Sequence, residues 1–387
     1  MIYPIRLYRI GGAIGVLFRA CPGGAGETAG NDDGCVRRGA GLDASFHGTS
    51  ATVYGGKKMS ASILDIARSC HVSPEAVSSV LGAYRAGVSE ELRARIVEEA
   101  KALGYADASH SLGVLFMDES AKGLTHPFFA MILNAFKLAA EERGYDVTFI
   151  NRRIGSDTLS YLEYCRCRGL AGVCIACVDF SDPQVAELVK SGIPCVTVDH
   201  IYRKVPSVLS DNETGVQKLV EYAISMGHTR IAFINGHNNS VVTRTRIKQF
   251  YQTMQYHGLP VPDGYVCDGL YGDIGLTRRF VDGLLSLPER PTCIFLPDDS
   301  CYLGAQEATR ALNLRIPEDV SFVGYDGIPL YQQLNPRLTT IRQNCDSIGE
   351  TAATRLIAIA ENRESVSWMP VMVPVELLEG GTVSKLN

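Results

Sequence analysis

The sequence predicts an α/β protein, with a small all-α helix-turn-helix domain followed by two doubly wound parallel-sheet lobes. Three observations carry that prediction. After residue 110, short apolar runs rich in Val, Ile and Phe alternate with helical stretches, the pattern of strand–helix–strand units on parallel sheets. These strand-like runs are too many for one compact sheet, so two lobes are expected. Before residue 110, three short segments with apolar residues at helical spacing each begin near a serine.

The bulk properties narrow the class. The chain has 387 residues, 46 % apolar and 20 % charged, with a net charge of −5. That is ordinary globular composition with length for two or three domains. "AGVCIACV" is among the longest apolar runs and suits a buried strand, so no membrane partner is expected. The negative balance excludes a global basic field, and any nucleic-acid contact must be local. Twelve cysteines spread over this length do not form a secreted disulfide framework and point to a reducing cytoplasm. The dense group is Cys165, Cys167, Cys174 and Cys177. Positions three apart on a strand face opposite ways, so Cys174 and Cys177 are expected as buried thiols packing like small hydrophobes, not as metal ligands.

Residues 1–58 differ from the rest. They are rich in Gly and small residues, with no helix or strand period, and read as disordered or as no part of the protein at all. Arg6 and Arg9 before "IGGAIGVLF" allow a signal-peptide reading, but the apolar run is short and glycine-broken, and Arg19 sits where a cleavage site wants small neutral residues. The preferred expectation is a natural start at Met59, since "GGKKM" is what a purine-rich ribosome-binding site spells when translated. Peptides from before Met59 in the native protein would contradict this.

From residue 59 to 108 the elements follow in order. Ser62 caps a helix carrying Ile63, Ile66 and Ala67, and "CHV" turns the chain. Ser73 caps a second helix, with Pro74 at its first position and Val77, Val80 and Leu81 on its inner face. Ser89 opens a third, with Glu90 and Glu91 in its first turn and Leu92, Ile96, Val97 and Ala100 facing inward. Such a trio can be a helix-turn-helix whose second helix enters the DNA major groove, or a plain packing module. Charge favours the module: over 59–110 there are five Lys/Arg against seven Asp/Glu, a net of −2.

The lobes of 111–387 are read from "SLGVLFMD", "DVTFIN", "LAGVCIACV", "IPCVTVD", "RIAFINGH", "TCIFLPDD" and "VSFVGYDG" as strands with helices between. Ligands in such folds bind beyond the carboxyl ends of strands. The polar residues there are Asp118, Asp199, Asn235, His237, Asp298, Asp299 and Asp326. Neither a phosphate-loop glycine motif, a nucleophile elbow nor a zinc-protease motif occurs, so no catalysis, cofactor or metal is expected.

"SILDIARSCHVSPEAVSSVLGAYRAGVSEELRARIVEEAKALGY" is similar to the headpiece of the lactose/galactose-repressor family of bacterial transcription regulators. "HPFF", "VDH", "SDNETG", "GHTRIAFI", "PDDS", "IPEDVSFVGYDGIP" and "LTTIRQN" resemble that family's sensor core. The resemblance implies operator DNA and a small-molecule effector (a sugar or another small polar metabolite) as partners, a homodimer, and a two-lobed core like that of periplasmic binding proteins. It places Pro74, Glu75 and Ser79 at base-contacting positions, and Ser62, Ser73 and Ser78 at phosphate-contacting ones. Ser79 is a departure, since the family often has Arg there, and Glu75 adds an anion that can accept from cytosine. "GYADASHSLGVLF" passes directly into the next strand, without the family's wedge leucine, so minor-groove wedging is not implied. In the core it implies Phe128, Phe129, Arg246 and Asp299 as cleft residues. A further aromatic falls at Leu270 by position or Tyr271 by chemistry. Interlobe crossings are expected near Ser210, Ile341 and Ser365, giving one lobe of 111–210 plus 342–364 and another of 211–341 plus 365–383. The leading expectation is therefore a cytoplasmic, ligand-responsive transcriptional regulator acting as a repressor. The alternatives are a ligand-binding sensor without specific DNA recognition, or an exported sugar-binding protein.

Overall fold

A computed structural model of the chain describes residues 9–10, 13–14, 63–81, 88–103, 110–116, 126–151, 153–154, 157–237, 240–361 and 367–386. Apart from a ladder of Arg9–Ile10 with Ala13–Ile14, the expectations for residues 1–58 lie outside these.

Three helices open the described domain: α1 (Ile63–Cys70), α2 (Pro74–Leu81) and α3 (Glu90–Ala102). Ile63, Ile66, Ala67, Cys70, Val77, Val80, Ile96 and Ala100 form their common core. The turn after α1 depends on His71, whose φ of 52° is left-handed. The Val72 amide then donates back to the Ala67 carbonyl at 3.0 Å, closing the helix end while Val72 packs on the core. The Ala76 amide donates to Ser73 Oγ at 3.3 Å, and the Leu92 amide to Ser89 Oγ at 3.4 Å, so both serines cap. The Arg95 guanidinium donates to the Cys70 carbonyl and ties α3 to the end of α1.

The first lobe is a six-stranded sheet of β1 (Ser111–Phe116), β2 (Asp146–Phe149), β3 (Gly172–Ala176), β4 (Cys195–Val198), β5 (Ser207–Ser210) and β11 (Val371–Val373). Their order is β2-β1-β3-β4-β5-β11, all parallel. The two-residue side-chain alternation divides the core. Leu112, Val114, Cys174 and Ala176 pack with α4 (Pro127–Glu141) and α11 (Cys345–Ala360). Leu115, Val173 and Ile175 pack with α5 (Tyr161–Arg168) and α6 (Pro183–Lys190) on the other face. Cys165 and Cys174 are buried among apolar side chains, which pushes both thiols up, Cys174 to about 12. Both thiols therefore stay protonated and act as packing groups.

The second lobe repeats the plan with β6 (Ile231–Asn235), β7 (Val266–Asp268), β8 (Cys293–Phe295), β9 (Ser321–Asp326), β10 (Thr339–Gln343) and β12 (Val375–Leu378). The order is β7-β6-β8-β9-β10-β12, parallel except for β12. Helices α7 (Asn212–Ser225) and α8 (Val241–Tyr256) cover one face, and α9 (Ile274–Leu285) and α10 (Tyr302–Ala311) the other.

The chain passes between lobes three times. The first passage follows Ser210 into α7. The second differs slightly from expectation, because Ile341 lies inside β10 and the turnover comes at Asn344, which caps α11. The third corrects the expected boundary near Ser365. Val371–Val373 joins the first sheet beside β5, and the chain crosses at Pro374. Proline has no N–H to donate to a ladder, so it splits one apolar run into strands of two different sheets.

Candidate functional site

The carboxyl ends of both sheets face a cavity of about 990 Å³ between the lobes. Its walls come from the start of α4 (His126, Phe128, Phe129), the turns after β3 and β4, the start of α8, the turn after β7, and the ends of β9 and β10. Each sheet reverses its strand order beside its first strand, and crevices form at such points.

One side of the cavity is aromatic. Phe128 and Phe129 meet edge to face at 5.0 Å, and Phe129 also contacts Phe116 at 5.6 Å. Phe128 is only 5 % exposed and is shared with the core of the first lobe. Phe180 lies parallel on His200, with ring centroids 3.9 Å apart, and the Tyr202 hydroxyl donates to the Phe180 carbonyl at 2.6 Å. From the second lobe, Tyr271 is held by a 2.8 Å hydroxyl contact with Thr243. Both Leu270 and Tyr271 line the cavity, so the two alternatives for the further aromatic stand side by side, with Tyr271 half-buried and Leu270 exposed at the wall. Tyr271 packs directly on Gly236, where an added Cβ would fall 2.2 Å from ring carbons. Gly236→Ala is therefore expected to displace the ring. Loss of one aromatic contact costs about 1 kcal/mol, roughly a fivefold drop in ligand affinity by calorimetry.

The polar side centres on Arg246, which is 5 % exposed. Its Nε donates to Asn212 Oδ1 at 2.7 Å, Nη1 donates to the Pro297 carbonyl at 3.4 Å, and the guanidinium lies 3.5 Å over the Tyr325 ring. Asn212 in turn donates to the Ser210 carbonyl at 3.0 Å, so Arg246 is tied to the first interlobe passage. Asp199 and Asp326 both lie within electrostatic reach of the guanidinium. Both have positive φ, 57° and 116°, conformations unusual outside glycine that turn these strand-end residues toward the cavity. Gln343 Nε2 donates to Asp326 Oδ1 at 2.7 Å and links this group to the second passage.

Burial pushes the Asp199 carboxyl up from the ordinary 3.8 to about 6, against the lowering pull of Arg246 and the Ser210 amide. Burial and the neighbouring Asp298 and Asp299 push Asp326 well above its ordinary range. A carboxyl with a raised folded-state value holds its proton more tightly folded than unfolded. Its stabilising contribution is full below 3.8 and is lost as pH rises through about 6. Asp199→Asn should remove this fall between pH 4 and 7, a difference of at most about 3 kcal/mol in denaturant unfolding. An unchanged pH profile would contradict it.

Asp299 is a correction to the sequence expectation. It is fully buried behind β9 and is not among the cavity-lining residues. Its Oδ1 accepts from Thr340 Oγ1 at 2.6 Å and its Oδ2 from the Ile328 amide at 2.7 Å. Both oxygens are occupied holding β8, β9 and β10 together, and burial pushes the carboxyl up to about 8. Asp298 is used similarly, accepting from the Gly272 and Cys301 amides. Phe128, Phe129, Asp199, Arg246 and Tyr271 come together at the cavity, joined by Asp326 and Gln343. Asp326 was visible as a strand-end carboxylate, while Gln343 and Asn212 carried no sequence signal beyond sitting next to a strand end.

In the headpiece, Ser73 and Glu75 are exposed at the start of α2, with Pro74 and Ser79 half-buried beside them. Ser62 and the side chain of Ser78 lie outside the described residues.

Comparison with known proteins agrees with this geometry. Residues 109–377 match the model described as periplasmic binding proteins and sugar binding domain of the LacI family. The ribose operon repressor of Escherichia coli (strain K12) is 30 % identical over 315 residues, covering 77 % of this chain and 92 % of that protein. The HTH-type transcriptional repressor PurR of Vibrio vulnificus is 27 % identical over 336 residues, 84 % of this chain and 100 % of that protein. A solved LacI-family regulatory protein from Chloroflexus aggregans superposes with a TM-score of 0.63 at 26 % identity, covering 71 % of this chain and 99 % of its own.

Proposed function

Since the chain belongs to the LacI family, we propose that it is an effector-responsive transcriptional repressor that binds operator DNA through α2. The observation that carries this reading is one chain holding both a helix-turn-helix and a two-lobed core with a cavity at facing strand ends. Ser62, Ser73 and Ser78 contact phosphates, and Pro74, Glu75 and Ser79 meet base edges. Phe128, Phe129, Asp199, Arg246 and Tyr271 hold the effector. The repressor is a cytoplasmic homodimer, because two headpieces reading two half-sites give a two-fold symmetric operator.

The effector acts by binding one arrangement of the lobes better than the other. Arg246 reaches the first passage through Asn212, and Asp326 reaches the second through Gln343. A ligand at these residues therefore acts where the lobes are joined. It changes operator affinity only to the extent that its own affinity differs between the two arrangements.

A second reading, a sensor without specific DNA recognition, is favoured by the net −2 of residues 59–110. Selection of binding sites from random duplex DNA with the full chain separates the two. The repressor reading expects enrichment of an inverted repeat. Glu75→Gln should then relax one base preference, worth about 1–3 kcal/mol, without changing the salt dependence. A pool that stays random supports the sensor.

A further inference from the structure

Two buried acceptor atoms on residues that line the cavity have no partner. Gln343 is 3 % exposed and lines the cavity, yet its Oε1 has no partner. Its Nε2 donates to Asp326 Oδ1 at 2.7 Å, which turns Oε1 the other way. Oε1 is therefore a carbonyl oxygen left to accept. Asp199 Oδ1 is also enclosed without a partner. Asp326 uses Oδ1 for Gln343 and has a second oxygen beside it. Three acceptor groups thus converge on the space around Arg246. Leaving buried acceptors unmade is costly, which makes them markers of a missing donor.

The charges agree. Among the described residues, four carboxyl side chains line the cavity (Asp179, Asp199, Asp273 and Asp326) against one guanidinium, Arg246. Arg246 is already engaged by Asn212, Pro297 and the Tyr325 face. One of its two neighbouring carboxyls balances it as an anion, and the other, raised by burial, holds a proton that an arriving cation displaces. Asp179 accepts from Ser181, and Asp273 caps α9. Two carboxyls beside a single guanidinium favour a bound cation over a bound anion. A hydroxyl offers a single donor. An ammonium offers three donors and no acceptor, which matches the three acceptor groups, two of them carboxyls. The aromatic wall of Phe129, Phe180 and Tyr271 suits the apolar face of a small ring.

We propose that the effector is a small polyhydroxylated amine, of the amino-sugar class, whose ammonium is held by Gln343 Oε1, Asp199 and Asp326. This rests on the cavity being the effector site, as proposed above.

The test is calorimetric titration of the full chain with three matched sets: glucosamine, galactosamine and mannosamine; glucose, galactose and mannose; glucuronate and galacturonate. At least one amine should bind, with its neutral counterpart weaker by about thirtyfold. Asp199→Asn, which preserves shape, should weaken the amine far more than the neutral sugar and bring the two to within about threefold. Failure of all three amines to bind overturns the proposal. So does a neutral or acidic sugar binding as tightly as its amine. If that sugar's binding is lost in Tyr271→Ala, the effector cavity stands and only the amine assignment fails. If it persists in Tyr271→Ala, both readings fail.

Discussion

Arg246→Ala is expected to abolish effector binding and to lower stability by about 3–5 kcal/mol, the cost of removing one partner from a buried charged group. The guanidinium is the only cation lining the cavity among the described residues. Removing it leaves Asp199 and Asp326 without their neutralising charge, Asn212 Oδ1 without its 2.7 Å donor, and the Tyr325 ring without its cation. Part of the loss is recoverable, because both carboxyls are already raised and can take up protons. The deficit should therefore shrink at pH 5 relative to pH 8 in denaturant unfolding. A loss below about 1 kcal/mol at pH 8 would show that Arg246 is solvated and does not organise the site.

Gly349→Val should be as severe for a different reason, costing about 3 kcal/mol or more. Gly349 lies on α11 where it crosses α4. A Cβ there would sit 2.3 Å from the Ile132 carbonyl and 2.7 Å from the Phe136 amide. These are backbone atoms, so nothing can swing aside and the helices must separate. Phe136, fully buried at that crossing, would lose its packing. Gly283→Ala is the control: it lies in α9 with nothing near its added Cβ, and should be neutral or gain about 0.5–1 kcal/mol from higher helix propensity. Equal unfolding midpoints for the two variants would contradict the close crossing.

Much of this architecture could be read from the chain, because strands buried on both faces are written as continuous apolar runs, as in "GVCIA" of β3. Asp199 was legible as the polar end of such a run, while Phe128, Phe129 and Arg246 were expected only from the resemblance to the repressor family's sensor core. Asp299 misled because "PDDS" puts two carboxylates at one strand end, and only tertiary packing reveals that both are occupied by backbone amides and Thr340. Gln343 and Asn212 were not legible. Their importance comes from passages that bring β10 and α7 against residues far away in sequence, Asp326 and Arg246. The third passage was misplaced because a single proline divides two strands that local pattern cannot assign to different sheets.

The central claim is that the α1–α3 domain binds DNA specifically. Its most direct test is equilibrium binding of the full chain to the DNA upstream of its own gene, against a scrambled duplex, across a salt titration. Binding well above that to the scrambled duplex is expected, with the logarithm of the affinity falling steeply and linearly with the logarithm of salt concentration. Equal affinity for both duplexes, with and without a cavity ligand, would contradict it.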